Sequence, residues 1–210
     1  MTTNQLIDTL PKLHKDWDSG EPVFWGVDPE VIEFVEKNVS SGRTIETGAG
    51  FSSIGFIICG CTHTAVCPDT FVRDNILGFC DRHGIDTTQF TFVSSKSQDY
   101  LPTLPEQEFD CALVDGEHAF PIPQIDFYYL SRVLKVGGLL LVDDIDIWSC
   151  EIIHKFLHWD HDWDFIGIIG PHTAAYRKRA HREITGWGDQ RFVVANSVTP
   201  AALGFLGPSR

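Results

Sequence analysis

The chain has 210 residues, 43% apolar and 21% charged, enough for one substantial core with short extensions. Its formal net charge of −13 excludes wrapping nucleic acid or lying on anionic lipid, since both depend on Lys and Arg. No apolar run reaches the ~20 residues that span a bilayer, the N-terminus lacks the apolar stretch of a signal peptide, and the six cysteines are scattered. These features predict a cytoplasmic protein with free thiols and no nucleic-acid or membrane partner.

Residues 1–28, broken by Pro11 and by Ser-Gly-Glu-Pro at 19–22, read as an extension. PEVIEFVEKNV (29–39) has apolar residues at helical spacing behind a first-turn proline. Strand and helix patterns then alternate. RTIET (43–47) is predicted as a strand, 52–59 as a helix, 63–67 as a strand and 70–84 as a helix that Gly84 can end. Residues 89–95 and 109–115 are further strands. The helix of 123–138, closed by glycines, leads into a fifth strand at 138–144, then a helix at 148–159. Residues 163–170 and 173–179 form a strand pair joined by Pro171-His172. The tail, 181–210, is rich in Gly and polar residues.

Strands apolar on both faces and alternating with helices predict an α/β fold, a doubly wound and mostly parallel sheet ending in an antiparallel pair. In such sheets ligands bind outside the carboxyl ends of the strands. CALVDGEH (111–118) and GGLLLVDDID (137–146) each run from an apolar segment into carboxylates, which puts Asp115, Asp143 and Asp144 on that rim.

IETGAGFSS (45–53) joins the first of these strands to its helix. Gly48 and Gly50 permit a tight turn and close approach of a ligand to the main chain. Ser53 stands where a dinucleotide G-x-G-x-x-G loop has its third glycine, which disfavours pyrophosphate. Asp69 lies at the end of the next strand, placed to accept hydrogen bonds from ribose hydroxyls, or to cap the helix that begins near Thr70. Cys59, Cys61, His63 and Cys67 match no paired C-x-x-C metal pattern. His154, His158 and His161 lack the Glu of H-E-x-x-H.

Glu46-Thr47-Gly48-Ala49-Gly50, Asp69, VDGEH and LVDDID together resemble the class I S-adenosylmethionine-dependent methyltransferases over about residues 29–179. The resemblance implies a seven-stranded Rossmann-like methyltransferase fold over 29–180. It implies that Gly48 and Gly50 pass the methionine and ribose end of S-adenosylmethionine, with Glu46 near its amino group and Asp69 on the ribose. Ser94 to Ser97 then border the adenine, with Ser95 the chosen contact, and Trp17 and Trp25 of the extension form a lid. Within the superfamily the pattern is most similar to metal-dependent small-molecule O-methyltransferases of the catechol or the sugar and macrolide type. That implies a Mg²⁺-like ion on Asp115, Asp143 and Asp144, with Glu117 as general base. Asp115 can instead contact the cofactor, and His118 can instead be the base. A homodimer is a further expectation. A nicotinamide-dependent oxidoreductase and a non-catalytic methyltransferase-like domain are the alternatives.

Overall fold

The computed structural model describes residues 1–197. The sheet order follows from which segments can be buried on both faces. β3 (Arg43–Thr47), β4 (Thr62–Val66), β5 (Phe90–Val93), β6 (Phe109–Val114) and β7 (Leu134–Val142) run parallel. β8 (Trp163–Ile169) and β9 (Thr173–Lys178) form the terminal hairpin, and β9 lies antiparallel to β7. The strand order is β5-β4-β3-β6-β7-β9-β8, so the direction of winding reverses between β3 and β6. This is the predicted seven-stranded sheet.

Successive residues of the central strands serve opposite layers. Cys111 and Leu113 of β6 join a core with Val31, Ile32 and Val35 of α2 (Pro29–Val39), Ile54 of α3 (Phe51–Ile58) and Ile76 of α4 (Thr70–Arg82). Ala112 and Val114 join the other core, with Leu130 of α6 (Ile122–Val133) and Ile153 of α7 (Trp148–Trp159). This two-sided burial explains the continuous apolar runs in the strands. Among the described residues, no helix is long and apolar enough to cross a membrane.

Two boundaries differ from expectation. The helix predicted over 123–138 ends at Val133, and β7 begins at Leu134. Gly137, at φ +87°, belongs to an irregularity within that strand. Phe109 pairs with Leu134, but Cys111 pairs with Leu139. The glycines thus bend a strand rather than close a helix. The extension is also structured, with α1 (Thr3–Thr9) and a two-stranded ribbon of β1 (His14–Lys15) and β2 (Pro22–Val23). The short helix α5 (Ser97–Tyr100) follows β5, and α8 (Arg191–Asn196) lies in the tail. Of the predicted tail, residues 198–210 lie outside the described residues.

Candidate active site

In register, Val66, Thr47, Val114 and Val142 lie side by side, so the parallel strands finish at one level. A cavity of about 1380 Å³ opens above that edge. Gly48, Gly50, Asp69, Asp115, Glu117, His118, Asp143 and Asp144 line it, as do Trp17 and Trp25, while Glu46 and Ser95 do not.

The glycine loop is fitted to the neighbouring strand. Gly48 has φ +86°, and a Cβ there would lie 2.0 Å from the carbonyl oxygen of Asp115. Only glycine lets this loop cross the tip of β6. Ser53 explains the missing third glycine. Its hydroxyl accepts the Gly50 N–H at 3.0 Å and donates to Glu46. That side chain fastens the turn to the strand beneath it.

Glu46 does not line the cavity. It is fully buried behind the loop, where it accepts from the hydroxyls of Ser52 (2.6 Å) and Ser53 and lies 3.0 Å from Nε2 of His63. The other nitrogen of His63 pairs with the hydroxyl of Thr44 at 2.8 Å. The network locks β3, α3 and β4 together, and it occupies His63, the only histidine of the Cys59–Cys67 stretch. Burial pushes the thiol of Cys59 up to about 12, and all six cysteines are free.

Asp69 caps α4, its Oδ1 accepting from the N–H of Phe71 at 2.8 Å, and it is also exposed on the cavity wall. The two roles weighed from sequence are compatible, because a carboxylate has two oxygens. Ser95 is not part of the lining. Its hydroxyl donates to the carbonyl of Lys96, and Ser97 and Gln98, at the start of α5, border the cavity instead. A helix N-terminus turns its first side chains and N–H groups toward the rim, and this four-residue helix left no periodic signal to find it by.

The carboxylates at the rim have different partners. Asp144 has φ +51°, a left-handed conformation that Asp tolerates. That turn sends adjacent side chains different ways. Asp143, 4% exposed, accepts from the hydroxyl of Thr173 on β9. Asp144 has Oδ2 3.0 Å from Nε2 of His118. Asp115, His118 and Asp144 each offer one atom to a cluster spanning less than 4.8 Å, the only such group among the described residues. Of the expected set Asp115, Asp143 and Asp144, this cluster holds Asp115 and Asp144, and His118 joins them, while the Asp143 carboxylate meets Thr173. Nothing in the spacing of VDGEH distinguished His118 as a ligand from His118 as a base.

The electrostatics are those of crowded acids. Burial, then the charges of Asp143, Glu46 and Asp144, push the Asp115 carboxyl well above its usual range. Asp143 is raised by burial first, although Thr173 opposes the shift. His118 Nε2 is shielded from solvent and lies off the axis of a hydrogen bond to Asp144. Glu117 is exposed, with Oε1 accepting the N–H of Ala119 at 2.9 Å. Opposite, His172 leaves the β8–β9 turn and holds Asp28 at 3.1 Å through Nδ1 and through its N–H. Neither Asp28 nor His172 carried a sequence signal, since the fold brings them together from 144 residues apart.

Fold and site together define a doubly wound α/β protein with an acidic cavity at the carboxyl ends of its parallel strands. The model of the methyltransferase domain family matches residues 43–145. Residues 43–145 are thus a methyltransferase domain, on the Rossmann-like fold of the S-adenosylmethionine-dependent methyltransferases. Its fold is similar to that of the O-methyltransferase TomG from Streptomyces achromogenes, solved in complex with SAM. The TM-score is 0.65 at 14% identity, covering 84% of this chain and 90% of that one. It is similar too to cofactor-bound Rv0187 from MTB, with a TM-score of 0.64 at 14% identity over 85% of this chain and 88% of that one. Among curated proteins, no sequence matches.

Proposed function

We propose that this methyltransferase acts on a hydroxyl oxygen of a small-molecule acceptor, assisted by a divalent cation held at Asp115, His118 and Asp144. The observation that carries the reading is the convergence of those three side chains beside the glycine loop. Their chemistry fits an ion. Two carboxylate oxygens and a shielded imidazole nitrogen without a hydrogen bond form a donor set that extends the choice from Mg²⁺ to Mn²⁺. Such an ion, when bound, lowers the pKa of a hydroxyl it touches.

The chain's own residues supply the rest. The exposed oxygen of Asp69 accepts from the ribose hydroxyls, and Gly48 and Gly50 admit the cofactor's methionine end to the main chain. Glu117, exposed within the cavity, takes the proton of the acceptor hydroxyl. The acceptor oxygen bonds to the methyl carbon as the carbon–sulfur bond breaks, and the electron pair returns to sulfur, giving S-adenosylhomocysteine. The walls contribute alignment of the two reactants and exclusion of water. TomG is an O-methyltransferase solved with SAM, and the shared fold is in keeping with this reading.

The test is methyl transfer from S-adenosylmethionine to a panel of catechols and glycosides, before and after chelation. Chelator should abolish transfer and re-added Mg²⁺ or Mn²⁺ should restore it, while S-adenosylhomocysteine still binds. Transfer that survives exhaustive chelation removes the cation from the proposal.

A further inference from the structure

The ribbon of β1 and β2 is docked against the cofactor loop. Leu13 is 3% exposed, and its carbonyl accepts from Asn75 Nδ2 at 2.8 Å. The Lys15 ammonium sits 4.1 Å from the centre of the Phe71 ring at the start of α4. Between these anchors His14 turns into the cavity beside Trp25, with ring centres 5.9 Å apart. Its Nε2 is shielded from solvent and has no hydrogen-bond partner. A Cβ on Gly50 would lie 2.8 Å from that nitrogen and 3.7 Å from the carbonyl oxygen of Trp25. The imidazole therefore closes against the glycine turn, and a Cβ on Gly50 would push the ring edge aside.

The amino-acid end of S-adenosylmethionine carries an ammonium and a carboxylate. Acids suited to the ammonium are plentiful here. Asp16, Asp28, Asp69, Asp115, Glu117, Asp143 and Asp144 all line the cavity. The carboxylate needs N–H donors in the same acidic surroundings. The Gly50 N–H is already given to Ser53, and the Lys15 ammonium faces Phe71. An unpaired imidazole nitrogen at the turn answers that need.

We propose, on the cofactor reading given above, that His14 of the N-terminal ribbon recognises the α-carboxylate of the cofactor by donating Nε2–H to it. The ribbon is then a wall of the cofactor site. Burial lowers the pKa of His14, with Asp69 and Glu46 pulling the other way, so a neutral ring can serve as donor.

A matched pair of ligands tests this. S-adenosylmethionine and its decarboxylated form differ only in the carboxylate, and titration calorimetry measures both. His14→Phe keeps a ring against Trp25 and removes the donor. It should weaken S-adenosylmethionine by about tenfold or more and change the decarboxylated form by less than about twofold, the loss of a hydrogen bond to a charged group. His14→Gln keeps an N–H donor and should recover part of the difference. Equal weakening of both ligands makes His14 a packing residue and overturns the proposal, as does unchanged affinity for S-adenosylmethionine. Wild-type protein that binds neither ligand overturns the cofactor reading itself, and the role of His14 falls with it.

Discussion

Asp69 commits Oδ1 to the N–H of Phe71, and its other oxygen makes no hydrogen bond among the described residues. The two functions can be separated by substitution. Serine caps a helix about as well as aspartate, so Asp69→Ser should leave the melting temperature nearly unchanged. The same variant should bind S-adenosylhomocysteine about tenfold or more weakly, measured by calorimetry, because the charged acceptor is gone. Asp126, on α6, poses a different problem. It is fully buried under the rim, neither oxygen has a hydrogen bond of proper geometry, and burial raises its pKa to about 6 against the offsetting hydroxyls of Ser97 and Thr47. A carboxyl raised in the folded state binds its proton more tightly there than in the unfolded chain. The resulting penalty is absent below the unfolded pKa of 3.8, grows as pH rises toward 6, and is complete above it. Its size is on the order of 3 kcal/mol. Asp126→Asn should flatten the fall in stability between pH 4 and pH 7, followed by urea unfolding at each pH. A variant with the wild-type slope would show that Asp126 is not the group responsible.

At the scale of elements, the glycine loop and the tip of β6 form one joint. Gly48→Ala faces both a left-handed backbone and the Asp115 carbonyl 2.0 Å away. The strain alone costs on the order of 1–3 kcal/mol. The variant should lose cofactor binding out of proportion to its loss of melting temperature, since the loop moves and the core does not. The loop from Asp115 to α6 carries the second test. Glu117→Gln preserves the shape of an exposed side chain and removes a proton acceptor. Turnover should fall by roughly a hundredfold with cofactor affinity nearly intact. Full turnover in that variant, with loss in His118→Ala, would transfer the role of base to His118.

Over the whole molecule, charge is concentrated where the parallel strands end. Asp115, Asp126 and Asp143 are all raised by burial, and Asp115 and Asp143 also by neighbouring acids. Proton uptake relieves that repulsion at low pH, and a cation would relieve it at neutral pH. Millimolar Mn²⁺ or Mg²⁺ should therefore raise the melting temperature more at pH 7.5 than at pH 5. Equal shifts at the two pH values would mean that the metal acts away from these carboxylates.

The sequence by itself determined the sheet and its rim. Apolar runs such as CALV and LLLV, alternating with helical patterns, fit strands covered on both faces, and each ends in a carboxylate that burial would penalise. The strand-to-helix turn at Gly48 and the acid at Asp69 were legible for the same reason, being local consequences of backbone freedom and of strand ends. Tertiary structure decided which side chains each acid meets. Asp143 and Asp144 are neighbours in the chain, yet one pairs with Thr173 and the other with His118, because β9 lies on one side of the tip and the loop after β6 on the other. It also decided that Glu46 is a buried tie, that Ser97 and not Ser95 meets the cavity, and that the N-terminal ribbon becomes a wall. The pairing of Asp143 with Thr173 and the docking of Leu13 on Asn75 join segments far apart in the chain, and local pattern carries no information about such pairings.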